Sequence, residues 1–312
     1  MTGGRVVAVV GPTATGKSDL AVALAERLGG EVVNADSMQL YRGMDIGTAK
    51  LTDAERRGVP HHVLDVWEVT ERASVVDYQR RARAAIADVH ERGRLPLLVG
   101  GSGLYVRAVL DDLDFPGTDP ELRSRLEAEL AAAGPAALHE RLSRVDPAAA
   151  RGILPSNGRR LVRALEVVEL TGRPFAATLP DPEPVYDAVQ LGVDRPADVD
   201  DRIAARVDRM WELGLVDEVR ALTARGLAGG PTASRALGYH QVLRLLAGAY
   251  GEGAAADRVA RAETVRATRR FVRRQRSWFR RDRRIRWLSG ADDADGSVTA
   301  ALDLVGARTL DR

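Results

Sequence analysis

Residues 6–18 have the sequence VVAVVGPTATGKS, from which the class of fold can be predicted. Its first five residues are small or β-branched and apolar, which predicts a buried strand, and residues 11–18 match the G-x-x-x-x-G-K-[ST] pattern of a phosphate-binding loop. A helix with leucines on one face is expected from Lys17 to Leu28. A strand, a glycine-rich loop and a helix in this order favour an anion site over a simple turn.

Several parts of this loop are suited to hold an anion. The glycines let backbone N–H groups converge, the helix N-terminus adds partial positive charge, the Lys17 ammonium adds a full charge, and the Ser18 hydroxyl can hold Mg²⁺. We therefore predict a di- or triphosphate site. Its residues are Gly11, Pro12, Thr13, Ala14, Thr15, Gly16, Lys17 and Ser18.

The composition limits the class of protein. The 312 residues, 45% of them apolar, suit one large domain or two unequal ones, and the absence of cysteine excludes disulfides and cysteine-based zinc sites. No apolar stretch suggests a signal peptide or a membrane span, so a cytoplasmic enzyme with no membrane partner is expected. Lysine occurs only at Lys17 and Lys50, which makes Lys50 a second functional candidate.

A second strand is predicted at residues 31–35, directly before Asp36. In open α/β sheets ligands lie outside the carboxyl ends of the strands, so we expect Asp36 to face the same crevice as the loop. A carboxylate there can accept a proton or hold a metal-bound water, although it can also simply cap a turn.

Further strands are predicted at residues 60–65, 95–99 and 188–194. The strand at 95–99 ends in Gly100 and Gly101 instead of the acid with which ATPases hold magnesium. This counts against ATP hydrolysis, although Asp65 could substitute for that acid.

Between residues 117 and 184 the sequence changes to helices rich in alanine, leucine and arginine. The predicted fold class is therefore α/β, with a parallel sheet flanked by helices as in P-loop NTPases and an all-helical insertion domain. Residues 1–116 and 185–312 are expected to form the two parts of the core, and residues 117–184 the insertion.

Two helical segments carry arginines in patterns that suit phosphate. Residues 201–222 predict an amphipathic helix pair with Arg202 and Arg206 on one face, which is either a solvated face or a set of phosphate ligands. Residues 266–286 contain eleven arginines and one acid, and this basic segment favours a polyanion such as nucleic acid. A stripe of three residues is expected to face the protein: Phe271, Gln275 and Trp278.

Nine segments together resemble the bacterial tRNA dimethylallyltransferase (tRNA isopentenyltransferase) family, over nearly the whole chain. They are GPTATGKS at Gly11, NADSMQLY at Asn34, GMDIGTAK at Gly43, PHHVLD at Pro60, GGSGLY at Gly100, RALE at Arg163, a pattern from Arg202 to Val219, ALGYHQ at Ala236 and TRRFVRRQRSWFR at Thr268. The departures are small, since Ser102 keeps the hydroxyl of the usual threonine and Leu51 replaces a usual proline.

The resemblance implies a reaction and its partners. A dimethylallyl group would move from dimethylallyl diphosphate to the exocyclic N6 of the adenosine 3′ of a tRNA anticodon, with Mg²⁺ as cofactor and a monomer as the enzyme. It also implies that Asp36 takes the N6 proton and that Thr13 donates to the bridging oxygen of the diphosphate. Arg202 would close over the diphosphate, with Arg206 as a further candidate.

The same resemblance implies contacts with the tRNA anticodon stem-loop, with the insertion clamping the stem and the arginine segment following its backbone. The implied contact residues are Asp36, Ser37, Met38, Gln39, Ser102, Arg123, Asn157, Gly158, Arg159, Arg160, Leu161, Arg235, Ala236, Leu237, Gly238, Tyr239 and His240.

Three other functions share parts of the pattern. A nucleotide or small-molecule kinase would use the same loop and sheet but leaves the arginine segment unexplained. Prenyl transfer to free adenosine nucleotides needs neither that segment nor the insertion. An RNA-binding NTPase without transfer chemistry lacks the acid expected after residue 99.

Overall fold

The computed structural model describes residues 3–175, 180–288 and 294–307. The chain divides into two compact units, one formed by Met1–Asp111 with Pro184–Arg312 and the other by Asp112–Glu183. The second unit thus begins at residue 112, where the sequence predicted an insertion from residue 117.

The first unit is built on a six-stranded sheet in which neighbouring strands are parallel. This confirms the predicted α/β fold class, and it brings the carboxyl ends of all the strands to one edge. The strands are β1 Gly3–Val10, β2 Gly30–Asn34, β3 His61–His62, β4 Leu95–Gly100, β5 Tyr186–Gly192 and β6 Ile285–Trp287, in the order β3-β2-β4-β1-β5-β6.

Helices connect these strands and form the second unit. In chain order within the described ranges they are α1 Lys17–Leu28, α2 Asp53–Arg56, α3 Val75–Glu91, α4 Gly103–Leu110, α5 Pro120–Val145, α6 Pro147–Gly152, α7 Gly158–Thr171, α8 Val199–Glu212, α9 Leu215–Ala224, α10 Tyr239–Leu246, α11 Gly253–Phe279 and α12 Ala294–Ala307, with 3₁₀ turns at Leu227–Gly229 and Ala233–Arg235. Of these, α5 to α7 belong to the second unit.

The sheet is buried on both faces. Alternate residues of β1 enter two separate cores, Val6 and Val10 on one face and Val7 and Val9 on the other. Helices α3, α4 and α8 to α11 contribute to the first core, and α1 and α12 to the second. Burial on both faces explains why β1 and β4 have continuous apolar sequences and no alternation.

The second unit has its own core, with Leu126, Leu142 and Leu161 fully buried. Two of its helices, α5 and α6, begin directly after Asp119 and Asp146, and the side chain of Asp119 accepts hydrogen bonds from two backbone N–H groups of the first turn of α5. Within α5, Gly134 has a φ of 77°, so the helix has a kink before Pro135.

The arginine segment differs from the prediction in two respects. Helix α11 ends at Phe279, and the remaining residues lead into β6, an edge strand that the sequence did not predict. The predicted stripe is correct only at Gln275, because Phe271 is half-buried and Trp278 is 38% exposed. The buried face runs instead through Thr268, Val272, Gln275 and Phe279, which follow one another at the three- and four-residue spacing of a single helix face.

The predicted strand at residues 60–65 is also shorter in the structure. It is limited to His61–His62, because Val63 and Asp65 have left-handed backbone conformations, with φ of 60° and 55°. A strand cannot continue through such residues.

Candidate active site

The phosphate-binding loop lies between β1 and α1, and its geometry requires two of its glycines. A Cβ on Gly11 would lie 2.1 Å from the Val193 carbonyl oxygen, and Gly16, which precedes α1, has a φ of 87°. Inside the loop the Thr15 hydroxyl donates to the Pro12 carbonyl at 2.9 Å. The loop is therefore closed by its own contacts and adjoins the N-terminus of α1, where an anion is favoured.

A crevice open to solvent lies at the carboxyl ends of β1, β2 and β4. It brings together four residues that the sequence predicted as neighbours, from two different strand ends, and adds an arginine of α8. These are Thr13, Lys17, Ser18, Asp36 and Arg206. These five residues supply two cationic side chains, one carboxylate and two hydroxyl groups to the crevice.

Lys17 is half-buried, and its ammonium donates to the Pro12 carbonyl. Removal from water lowers the pKa of Lys17 from 10.5 to about 8; Arg206 also lowers it, while the carboxylates of Asp36 and Asp194 act in the opposite direction. Near neutral pH the group is charged, and an anion placed against it would stabilise that charge.

This shift predicts a pH dependence for anion binding. Above pH 8 free Lys17 loses its proton, so the kcat/KM for a diphosphate substrate is expected to fall about tenfold per pH unit. Lys17→Arg keeps a charge throughout this range and should remove the alkaline limb, whatever its overall activity. A pH profile of kcat/KM for the two proteins tests this, and identical alkaline limbs would contradict it.

Asp36 is held at the end of β2 by its neighbours. Its N–H donates to the side-chain oxygen of the buried Asn34 at 2.9 Å, and its Oδ1 accepts from the Met38 N–H at 2.9 Å. The capping of a turn, left open by the sequence, is therefore present. Within the described ranges Oδ2 has no hydrogen-bond partner, so one carboxylate oxygen is available to a ligand in the crevice.

The two candidate arginines of α8 occupy different places. Arg206 is half-buried and donates to the Thr13 hydroxyl at 2.8 Å and to the Thr48 carbonyl at 3.3 Å. Burial lowers the pKa of its guanidinium, and Asp36 opposes that shift. Arg202 is exposed and donates to the Ala14 carbonyl at 2.9 Å. Arg206, which the sequence ranked second, is the one that lines the crevice.

Thr13 is fixed at both its main chain and its side chain. Its N–H donates to the Gln275 side-chain oxygen at 3.0 Å, and its hydroxyl oxygen accepts from Arg206. Because the oxygen already accepts a strong donor, the hydroxyl proton is directed away from Arg206 and can be donated to a ligand.

The end of β4 has no room for an acid. A Cβ on Gly100 would lie 2.2 Å from the Ala35 carbonyl carbon and oxygen, so no side chain can stand there. Asp65, the possible substitute, is paired with Lys50 at 2.6 Å. The carboxylate of an ATPase-type magnesium site is thus not provided at this edge by either residue.

Lys50 is buried and has structural partners. Its ammonium lies 2.6 Å from carboxylate oxygens of Asp45 and Asp65 and donates to the Tyr41 carbonyl at 3.1 Å. It therefore joins the two ends of the segment from residue 41 to 65 and does not line the crevice.

One wall of the crevice depends on Glu218, which the sequence did not single out. Its carboxylate accepts from the N–H groups of Asp45, Ile46 and Gly47 at 2.8 to 3.3 Å, and from the Tyr239 hydroxyl at 2.5 Å. This fixes the loop that ends in Thr48, the carbonyl partner of Arg206. The contacts join α9 and α10 to a distant loop, and no local sequence signal could have revealed them.

The residues predicted to contact tRNA differ in exposure. Exposed are Asn157, Arg159, Arg160, Arg235 and His240; intermediate are Asp36, Ser37, Met38, Gln39, Ser102, Arg123, Gly158 and Leu237; buried are Leu161, Ala236, Gly238 and Tyr239. Leu161 packs in the core of the second unit, Ala236 and Tyr239 pack in the first core of the sheet, and Gly238 has no side chain. At these four positions a ligand could therefore contact at most the backbone.

Ser102 and Arg123 are held by partners inside their own units. The Ser102 hydroxyl accepts from the Ser37 N–H and donates to the Ser37 hydroxyl, each at 3.1 Å, which joins the loops that follow β2 and β4. The Arg123 guanidinium is paired with the fully buried carboxylate of Glu166, which also binds Arg163. Arg123 is therefore committed to holding α5 against α7.

The eleven arginines of residues 266–286 fall into two groups. Several form ion pairs within the first unit, among them Arg276 with Asp194 and Arg284 with Asp111. Others are exposed and have no ion pair to a carboxylate of the described residues: Arg270, Arg273, Arg274, Arg281, Arg283 and Arg286. The predicted polyanion surface is therefore about half of the segment.

None of the described helices is long and apolar enough to cross a membrane.

The chain is similar in sequence to known proteins over most of its length. The model of the IPP transferase family matches residues 39–282. A tRNA dimethylallyltransferase of Salinispora arenicola is 69% identical over 305 residues, which are 97% of this chain and 87% of that protein.

Two solved structures are similar to this chain over nearly its whole length. A tRNA isopentenylpyrophosphate transferase from Bacillus halodurans has a TM-score of 0.70 and 42% identity, and the match covers 97% of this chain and 96% of that chain. A eukaryotic dimethylallyltransferase acting on tRNA, at 24% identity, shares the fold with a TM-score of 0.80 over 99% of this chain and 80% of that chain. The resemblance found in the sequence and the transferase class are confirmed, and the chain belongs to the IPP transferase family.

Proposed function

We propose that this chain transfers the dimethylallyl group of dimethylallyl diphosphate to N6 of the adenosine 3′ of the anticodon in tRNA. The observation that carries the proposal is the crevice, where the Asp36 carboxylate lines the same space as Lys17 of the phosphate-binding loop and Arg206 of α8. The sterically closed end of β4 favours this reaction over phosphoryl transfer from ATP.

The cationic side of the crevice stabilises the leaving group. As the bond from carbon to the diphosphate oxygen breaks, negative charge builds on the diphosphate, where Lys17, Arg206 and the loop N–H groups can neutralise it. The Thr13 hydroxyl donates to the bridging oxygen. In enzymes that stabilise an oxyanion, removing one fixed donor of this kind raises the barrier by about 3 to 4 kcal/mol. Arg202, at the outer side of the loop, closes over the bound diphosphate.

The carboxylate side removes a proton. The N6 lone pair forms the new bond to the prenyl carbon while Oδ2 of Asp36 accepts the N6 proton, so the product is neutral and the diphosphate leaves with the electrons of the broken bond. Proton removal by a positioned base contributes about 10²- to 10⁴-fold in rate. The adenine must leave the anticodon stack to reach the crevice, at a cost of a few kcal/mol that is smaller in a loop than in a duplex.

Magnesium fits the oxygen atoms that the crevice offers. The Ser18 hydroxyl and the Asp36 carboxylate line it together, and Mg²⁺ prefers such hard ligands with waters and substrate phosphates completing its shell. In the part of the chain that the structure describes, no group of three His, Cys, Asp or Glu side chains could hold the ion alone. When bound, the ion would offset the charge of the diphosphate, with Ser18 as its protein ligand.

The exposed arginines of α11 and the residues that follow it form the surface for the tRNA backbone. Arg273 and Arg274 are adjacent in sequence and both exposed, and the Arg274 guanidinium carbon lies over the Phe271 ring, 5.7 Å from the ring centre. In the second unit, Arg159 and Arg160 are exposed at the start of α7 and suit the stem of the anticodon arm. The enzyme is expected to act as a monomer.

Replacing Arg273 and Arg274 together by alanine should weaken tRNA binding and reduce its salt dependence. Each lost phosphate contact lowers the slope of log K against log salt by about 0.7 to 0.9. Arg258→Ala, at an exposed position near the start of the same helix, is the matched control and should leave the slope unchanged. Titrations at several salt concentrations measure this, and equal slopes for all three proteins would show that these arginines are only solvated.

A short anticodon stem-loop tests the proposed position of the reaction. With Mg²⁺ and labelled dimethylallyl diphosphate, label should enter a stem-loop that has adenosine 3′ of the anticodon and not one with guanosine there. Equal labelling of free adenosine nucleotides would favour the mononucleotide alternative. Phosphate transfer from ATP without any labelling would favour the kinase.

A further inference from the structure

One turn of α11, residues 275–278, contacts the segments that follow three adjacent strands. Gln275 binds the loops after β1 and β4, and Arg276 pairs with Asp194 after β5, its Nε 2.9 Å from both carboxylate oxygens. Trp278 lies so close to Gly103 that a Cβ there would be 2.0 Å from the indole nitrogen. This turn therefore holds together the loops around the phosphate site.

Both ends of the Gln275 amide are used, and the side chain is only 5% exposed. Its Oε1 accepts from the Thr13 N–H at 3.0 Å, and its Nε2 donates to the Gly101 carbonyl at 2.9 Å. A reversed amide would set donor against donor and acceptor against acceptor, so only one orientation satisfies both partners. The contact with Gly101 is close, since a Cβ there would lie 2.4 Å from Nε2.

We propose that Gln275 is a positioning residue for the diphosphate, a role that rests on the prenyl transfer proposed above. By binding the Thr13 main chain, it fixes the hydroxyl that donates to the bridging oxygen. By binding Gly101 as well, it sets the spacing between the phosphate loop and the β4 end of the crevice. A misplacement of about 1 Å can cost about 10²-fold in rate, so its loss affects the transfer step more than RNA binding.

Gln275→Met keeps the length of the side chain and removes both hydrogen bonds. We expect kcat to fall about 10- to 100-fold and the KM for dimethylallyl diphosphate to rise, while the Kd for tRNA stays within about twofold. Thr264→Val is the matched control, because Thr264 is buried on the same helix and its hydroxyl donates to the Ala260 carbonyl of that helix. A Gln275→Met enzyme with the kinetic constants of this control would overturn the proposal.

Gln275→Glu provides a second readout that does not depend on the methionine variant folding. A carboxylate cannot donate to the Gly101 carbonyl, whereas a protonated carboxyl can accept from Thr13 and donate to Gly101 as glutamine does. The ratio of its kcat to that of the unaltered enzyme should therefore rise by about threefold or more from pH 8 to pH 6. A ratio that is constant over this range would overturn the proposal.

Binding of pyrophosphate tests the role of Gln275 independently of the proposed function. If the unaltered enzyme transfers no prenyl group, the proposed function fails, and binding of pyrophosphate measured by calorimetry then tests Gln275 directly. Gln275→Met should bind pyrophosphate about tenfold more weakly than Thr264→Val, because the loop N–H groups are displaced. Equal affinities would overturn the positioning role.

Discussion

Asp36→Asn is expected to lower the rate of prenyl transfer by about 10²- to 10⁴-fold, with the Kd for tRNA changed by no more than a few fold. Asparagine keeps the shape of the side chain and its oxygen can still accept from the Met38 N–H, so the turn after β2 is preserved. What it loses is the ability to take the N6 proton. Single-turnover rates and tRNA titrations measure the two quantities separately.

The control for this change is Asp19→Asn. Asp19 is an exposed carboxylate in the first turn of α1, one residue from the phosphate loop, so it reports the general effect of removing a negative charge near that loop. Its transfer rate should stay within about threefold of the unaltered enzyme, since an exposed charge is screened by water and salt. Full activity in Asp36→Asn would exclude Asp36 as the base.

Arg206→Ala is expected to lower kcat/KM for dimethylallyl diphosphate by about 10²- to 10³-fold, and Arg202→Ala by about tenfold or less. Arg206 lines the crevice and donates to both the Thr13 hydroxyl and the Thr48 carbonyl. Its loss removes a positive charge that would stabilise the leaving diphosphate, and it leaves the Thr13 hydroxyl free to rotate. Arg202 is exposed, where a charge contributes less.

Steady-state kinetics with saturating tRNA provide the comparison of the two arginines. Arg206→Lys adds a further distinction, because a lysine restores the charge but not the two-pronged contact, and it should recover only part of the activity. A larger loss in Arg202→Ala than in Arg206→Ala would contradict the assignment drawn from the structure.

The sequence predicted the arrangement of the crevice because it depends on local rules. A glycine-rich loop after a strand and an acid after the next strand must lie at the same edge of a parallel sheet, so Lys17 and Asp36 could be placed together before the structure was known. The choice between Arg202 and Arg206 could not be made in the same way. Both lie on one helical face, and only the position of α8 decides which of them enters the crevice.

Contacts between distant segments account for what the sequence missed. Gln275 lies 262 positions from Thr13 in the chain, and nothing in its neighbours indicates that it binds a phosphate loop. The aromatic residues suggested a buried stripe through Phe271 and Trp278, whereas the buried face of the helix runs through Val272 and Phe279. Lys50 drew attention by its rarity, but its two carboxylate partners make it structural.

Family motifs also mix two kinds of residue that spacing cannot separate. In the segment from Arg235 to His240 the first and last side chains are exposed, while Tyr239 is buried and binds Glu218. In the second unit, Leu161 belongs to the core although it adjoins the exposed Arg160. The predicted tRNA contacts therefore stay predictions, and the exposed members are the ones to test first.

In the proposed reaction the phosphate loop binds a departing diphosphate while Asp36 deprotonates an adenine amine presented by tRNA. One assay tests both parts: the protein is supplied with Mg²⁺, bulk tRNA, ATP and prenyl-labelled dimethylallyl diphosphate, and labelled nucleosides, pyrophosphate and ADP are counted. We expect one pyrophosphate for each labelled N6-dimethylallyladenosine, and no ADP. Formation of ADP with no label in any nucleoside would exclude this reaction.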